Sequence, residues 1–249
     1  TFAFSPAGVI TKSVIATVNE NLGEIYRNSV SGASIMKIAP NVFSLLIHTG
    51  GDYAGPRTYV VTYSISDDGL TISKIAQTTI LPNVADHEIF PGNHPLLHVT
   101  GTKYAFLTHE TRGTTTHTDN YVIRTISITD AGAIGSVIDT KVVQLVSGQV
   151  APQVFYASLR RINSTVFGLV SGSGTGATVG PTTLRTFTIT DAGAIAATGS
   201  SYALCTTGYY GNMLFQVKDT GWPVGYNDDA NHAALKTVNI SAGGIITYI

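Results

Sequence analysis

The stretch Thr125-Ile126-Ser127-Ile128-Thr129-Asp130-Ala131-Gly132-Ala133 returns almost unchanged as Thr186-Phe187-Thr188-Ile189-Thr190-Asp191-Ala192-Gly193-Ala194. Looser copies are Thr1-Phe2-Ala3-Phe4-Ser5-Pro6-Ala7-Gly8-Val9, Thr62-Tyr63-Ser64-Ile65-Ser66-Asp67-Asp68-Gly69-Leu70 and Thr237-Val238-Asn239-Ile240-Ser241-Ala242-Gly243-Gly244-Ile245. The shared pattern is Thr, apolar, small, Ile or Phe, Ser or Thr, two turn residues, Gly, apolar. Apolar residues alternate before the turn and resume after it, the mark of a β-hairpin. The glycine suits the turn position that takes positive φ, which a residue without Cβ adopts freely. Asp67, Asp130 and Asp191 are expected to cap these turns through their side chains. Together with Gly8, Gly69, Gly132, Gly193 and Gly244 they are structural residues.

A second hairpin precedes each of the last four copies. Its first strand is expected over 34–38, 95–100, 152–159 or 212–217, and its second over 42–48, 103–109, 165–170 or 222–226. No segment keeps a helical period; only 19–28 leaves room for a helical turn. Four short antiparallel strands per repeat make the blade of a β-propeller. The expected fold is therefore all-β: a single domain over 1–249, with a half blade at 1–32 and full blades at 33–81, 94–145, 152–205 and 211–249. Asp67-Asp68-Gly69-Leu70-Thr71-Ile72 resembles the Asp-box of sialidase-like propellers, with Ile72 in place of its aromatic and Ile65 in place of its Ser. Asp130–Ile134 and Asp191–Ile195 keep only Asp-x-Gly. In those families the box is structural, so the resemblance implies a propeller architecture and no catalysis. Four blades and a half leave a seam, since open strand edges invite association. A compact five-blade-like ring is the favoured reading. The alternatives are a longer protein with further blades, or completion by another chain through β-augmentation.

Composition narrows the class. Seven Lys and seven Arg against 15 Asp+Glu give a net charge of -1, with no polyelectrolyte footprint for nucleic acid. No apolar run is long enough for a membrane-spanning helix. Charged residues make up 12% and hydrophobic residues 43%, an unlikely mix for disorder. One cysteine, Cys205, excludes an intrachain disulfide framework. The 34 Thr and 26 Gly, with few Lys, resemble the composition of extracellular, cell-surface or virion-surface proteins. Sequons at Asn163 and Asn239 permit glycosylation in a host that performs it.

Aligning the repeats directs attention to the loop after each second strand. There His48, Asp52 and Tyr53 match His109, Glu110 and Arg112, while the fourth repeat offers Tyr226 and Asp228. The third offers Ser171–Gly176, which has no titratable group. Carboxylates that accept from hydroxyls and aromatics that stack on sugar rings suit a glycan. His87, His94 and His98 lie near Asp86 and Glu88 but fit no zinc spacing, so neither a metal nor another cofactor is expected. Hydrolysis of a glycoside needs paired carboxylates. The four glutamates are Glu20, Glu24, Glu88 and Glu110, and only Glu110 with Asp52 or Asp228 offers such a pair. Arg124, Arg185 and Lys236 fall at one repeat position and are expected on the blade surface. Trp222 aligns with Tyr104, Val166 and Val42 in a core slot, and Tyr209-Tyr210 near a blade edge are the better exposed aromatics. The expected function is a non-catalytic extracellular recognition module, lectin-like, with a glycan or cell-surface polysaccharide as partner. The rival is a structural surface protein that forms a filament, fibre or coat with copies of itself. A propeller glycoside hydrolase ranks third.

Overall fold

The computed structural model describes residues 2–4, 10–12, 34–49, 57–81, 87–90, 96–112, 118–147, 157–175, 178–206, 213–216, 221–230 and 232–249. These residues are all-β. A hairpin pairs β1 (Phe2–Phe4) with β2 (Ile10–Lys12). The first sheet then runs in chain order through β3 (Ser34–Ala39), β4 (Val42–Thr49), β5 (Arg57–Ile65) and β6 (Ile72–Leu81). The second holds β7 (His87–Phe90), β8 (Leu97–Thr100), β9 (Lys103–Arg112), β10 (Thr118–Ile128) and β11 (Ile134–Ser147). The third is β12 (Ala157–Arg161), β13 (Val166–Thr175), β14 (Thr178–Ile189) and β15 (Ile195–Cys205). The fourth is β16 (Met213–Leu214), β17 (Gly221–Asn227), β18 (Ala233–Ile240) and β19 (Ile246–Tyr248). Every pairing is antiparallel. Most expected strands are present; the second strands of the second and third sheets run longer than expected, the strand expected over 152–159 is found at Ala157–Arg161, and that expected over 212–217 is reduced to Met213–Leu214. Residues 5–9, with Gly8, and 19–28 lie outside the described residues.

Apolar residues on both faces of the sheets make each one the neighbour of the next. Leu46 and Val60 of the first sheet pack with Tyr104, Phe106, Ile126 and Ile128 of the second. Leu107 and Ile123 of the second pack with Phe167, Phe187 and Ile189 of the third. Val170 and Leu184 of the third pack with Trp222, Val224, Val238 and Ile240 of the fourth. Register refines the slot assigned to Trp222. Trp222 opposes Val238, Tyr104 opposes Ile126, Phe167 opposes Phe187 and Phe43 opposes Tyr63. The equivalents of Trp222 are thus Phe43 and Phe167, not Val42 and Val166. A slip of one residue reverses the face of a strand residue. The slot is aromatic in all four sheets, and Tyr104, Phe167 and Trp222 are buried there.

The nine-residue repeat does more than turn the chain. Each turn is closed by Gly69, Gly132, Gly193 or Gly244, whose N–H donates to the carbonyl of Ser66, Thr129, Thr190 or Ser241. All four glycines have φ between 71° and 91°. The hydroxyl three residues earlier caps the turn. Thr129 Oγ1 accepts from the Ala133 N–H at 3.0 Å, Thr190 Oγ1 from Ala194 at 3.1 Å and Ser241 Oγ from Ile245 at 3.0 Å. The capping expected of Asp130 and Asp191 is therefore done by threonine, whose hydroxyl sits one residue closer to the strand end. Both aspartates are exposed. In the first sheet Asp67 instead accepts from the Asn41 amide.

The threonine that opens each repeat copy reaches the next sheet. Thr62 Oγ1 donates to the Gly132 carbonyl at 2.6 Å, Thr125 Oγ1 to Gly193 at 2.6 Å and Thr186 Oγ1 to Gly244 at 2.5 Å. Thr62, Thr125 and Thr186 are buried. Beside each threonine the fourth strand slips register, skipping Ile75 in β6, Ile138 in β11 and 198–200 in β15. A bulge re-aims a side chain, and here Ile75, Ile138 and Thr198 meet the same three glycines. A Cβ on Gly132 would lie 2.7 Å from Ile75 Cδ1, one on Gly193 3.1 Å from Ile138 Cγ2, and one on Gly244 2.8 Å from Thr198 Cγ2. A second rung follows two residues on. The Ile195 N–H donates to Asp139 Oδ2 at 2.6 Å and the Ile246 N–H to Ser200 Oγ at 3.0 Å.

Replacing Thr125 by Val keeps the shape but strips the Gly193 carbonyl of its donor, so a loss of about 1–3 kcal/mol is expected. Gly193→Ala, at φ +91° against Ile138, is expected to lose more than about 1 kcal/mol. The exposed Thr237→Val should stay within about 0.5 kcal/mol. Chemical denaturation followed by the emission of Trp222 measures all three, and equal losses at Thr125 and Thr237 would refute the inter-sheet bond as their cause.

Candidate functional site

Each sheet has two ends of different character. One carries the locked turns between third and fourth strands. The other carries the connection between second and third strands, where the sequence places the candidate ligand residues. His48 opposes Thr58 and His109 opposes Tyr121, so these histidines share one repeat position, within strands rather than in loops. Counting the same interval from each locking threonine, the fourth-sheet equivalent is Asn227, opposite Ala233. Tyr226 is one residue out of step and turns inward: it is 6% exposed and packs with Trp222 and Val238. Lys236 Nζ lies 5.4 Å from the centroid of the Tyr226 ring and donates to the Leu204 carbonyl at 2.6 Å. Tyr226 is therefore a core residue and offers no ring face to a sugar. Asp228 organises its own hairpin, with Oδ1 accepting from the N–H groups of Ala230 at 2.9 Å and His232 at 2.8 Å. Asp229 Oδ1 accepts from the Thr206 N–H at 2.8 Å and its hydroxyl at 2.9 Å. Asp52 and Tyr53 lie outside the described residues, as do Asp86, His94 and the Tyr209-Tyr210 pair.

The second sheet gathers what the sequence left scattered. Its first-strand position is filled twice: β8 pairs with the start of β9, and β7 with its end. In that register His87 opposes Arg112, Glu88 opposes Thr111, Ile89 opposes Glu110 and Phe90 opposes His109. Across β9, Arg112 opposes Thr118, Thr111 opposes Asp119 and Glu110 opposes Asn120. One end of one sheet thus carries two histidines, two glutamates, an arginine, an aspartate and an asparagine. The strand β7 was not expected, because 87–90 is short and separated from β8 by Pro91 and Pro95.

The other sequence candidates have structural partners. His98 Nε2 is 2.9 Å from the Gly101 carbonyl, and its ring meets Tyr104 edge-on at 5.3 Å. Among the described residues no group of three His, Cys, Asp or Glu side chains is placed to hold a metal ion, and no helix is long and apolar enough to cross a membrane. Arg124 was expected on the surface but is 7% exposed; its Nη1 donates to Thr108 Oγ1 at 2.6 Å. Burial holds the Arg185 guanidinium below its ordinary value. Burial, then the charge of Asp130, raises the Tyr104 hydroxyl. Asn163 belongs to the frame between sheets: its Oδ1 accepts from Thr165 and Val166, and its Nδ2 donates to the Ala242 carbonyl at 3.1 Å. The nitrogen a glycan would use is thus engaged. Cys205 is buried, with its thiol 3.2 Å from the Asn227 carbonyl.

No family model matches the chain, and no curated protein matches it. Among solved structures it is similar to a protein from Lactobacillus plantarum, at 9% identity and a TM-score of 0.40, over 98% of this chain and 74% of that one. Superposition at that level carries no argument about architecture or role.

Asp68 is the exposed group with a resolved displacement. The Ser66 hydroxyl and then the Leu70 N–H donate to its carboxylate, at 2.5 and 2.9 Å, and hold it below the usual aspartate value of 3.8. A carboxyl depressed by folding contributes fully above the unfolded value and loses that contribution as pH falls through the folded one. An NMR titration should place Asp68 below 3.8 and move it back toward the ordinary value in Ser66→Ala, the Leu70 N–H still donating; an ordinary titration in the parent protein would contradict this turn geometry.

Proposed function

We propose that this chain is a β-propeller-type scaffold, four full blades with an N-terminal half, that serves as a non-catalytic glycan-recognition module outside the cell or on a virion. The stacking of four-stranded meanders in chain order supports the propeller reading. The observation that carries the recognition reading is the register of β7 on β9, which brings His87 and Glu88 alongside His109, Glu110 and Arg112. Carboxylate, amide and guanidinium groups at one sheet end match the hydroxyl pattern of a polysaccharide. The opposite ends are occupied by the inter-sheet locks, which leaves this end to differ among repeats. Repeated sugars meeting such a surface more than once would gain avidity without a tight single site.

A glycan array followed by calorimetry tests the reading. Binding to at least one polysaccharide is expected, weakened about tenfold or more by Glu110→Gln or Arg112→Ala, where about 1.4 kcal/mol is lost per factor of ten. Asp130→Asn, at the locked end, should leave it unchanged. Absence of binding across the array, or equal affinity in all three variants, would overturn the proposal.

A further inference from the structure

Asp68-Gly69 is the one place in the chain where glycine follows an aspartate or an asparagine. Glycine has no Cβ to shield its own nitrogen. A Gly69 nitrogen that loses its proton can therefore attack Cγ of a protonated Asp68 carboxyl. The N–Cγ bond forms, the carboxyl hydroxyl leaves as water, and a five-membered succinimide closes. Water then opens either ring carbonyl. The products are aspartate again or isoaspartate, whose main chain runs through Cγ and is one atom longer. No oxidant or co-reactant beyond water takes part. The corresponding turns of the other sheets carry Ala131-Gly132, Ala192-Gly193 and Gly243-Gly244, which offer no carboxyl to attack.

The turn engages both reacting groups elsewhere. The Gly69 N–H donates to the Ser66 carbonyl at 2.8 Å, so losing its proton breaks the bond that closes the turn. The Asp68 carboxylate accepts from the Ser66 hydroxyl at 2.5 Å and the Leu70 N–H at 2.9 Å. That hydroxyl is fixed in turn: its oxygen accepts from the Thr71 N–H at 2.9 Å, while the Ser66 N–H donates to the Thr71 carbonyl at 2.9 Å. The same donors hold the carboxyl below its ordinary value, and a carboxylate has no hydroxyl to release as water. We propose that Asp68–Gly69 is a latent isomerisation site, closed while the turn over 66–71 is formed and reactive when that turn opens. Isoaspartate does not revert when the turn closes again, so it records each opening of the first sheet's turn. The site lies at the turn between third and fourth strands, the end opposite the glycan-binding residues, and is independent of that reading.

Prolonged incubation of the whole chain at neutral pH, folded and in guanidinium chloride, tests this. Peptide mapping by mass spectrometry, with fragmentation that distinguishes isoaspartate from aspartate, reads the product at position 68. It is expected to form at least about tenfold faster in guanidinium chloride, the factor that a local opening cost of about 1.4 kcal/mol gives. Ser66→Ala removes one donor to the carboxylate and the anchor of the Thr71 N–H. It should raise the folded-state rate at least about threefold and leave the rate in guanidinium chloride unchanged. Parent-like Trp222 emission shows that the variant folds. Equal rates for the parent folded and in guanidinium chloride overturn the proposal, as does a folded-state rate in Ser66→Ala that matches the parent's.

Discussion

A threonine hydroxyl on one sheet donating to a glycine carbonyl on the next is the contact on which the arrangement of sheets depends. Among the described residues it occurs at Thr62, Thr125 and Thr186, always with the same chemistry. A buried hydroxyl and a buried carbonyl each lose water on folding, and each such bond contributes about 0.5–1.5 kcal/mol net. Apolar burial between sheets supplies far more free energy, but it is non-directional. The hydrogen bond adds direction, so it sets where each sheet stops against its neighbour. The positive φ of the glycine and the bulge at Ile75, Ile138 or 198–200 belong to the same joint, because a Cβ on the glycine would crowd the bulged side chain.

This joint divides the labour between the two ends of the sheets. Turns bound to a neighbouring sheet have little freedom to vary, and the copies around Gly132 and Gly193 are nearly identical. Among the described residues the opposite ends show no such joint, and their sequence differs from repeat to repeat. At 48, 109, 172 and 227 stand His, His, Gly and Asn. Chemistry therefore accumulates where the scaffold does not need uniformity, and the second sheet, with β7 added, holds most of it.

Much of the fold was legible from spacing alone. The recurrence of Thr, Gly and alternating apolar residues specified hairpins, their antiparallel order and most strand boundaries, because a strand's side-chain period of two leaves few alternatives. Legibility failed where one residue of register decided the outcome. Trp222 was matched to Val42 and Val166 instead of Phe43 and Phe167, and Tyr226 was matched to His48 when Asn227 is its equivalent. Turn capping was assigned to Asp130 and Asp191, although Thr129 and Thr190 carry hydroxyls nearer the free N–H groups. Of the candidate site, the histidine and glutamate positions on β9 were readable. Their meeting with β7 was not, since Pro91 and Pro95 mask the strand.

By itself, the sequence determined the all-β class, the four-strand repeat and the glycine turns, because these follow from local periodicity and from the conformational freedom of single residues. Only the tertiary structure decided that Thr62, Thr125 and Thr186 are joints rather than surface threonines, that Tyr226 and Arg124 are buried, and that Leu235, Thr237 and Ile249 are exposed. The physical reason is that each of these depends on which sheet lies against a given face. Residues 58 to 70 positions apart make those contacts, and no local pattern in either partner records them.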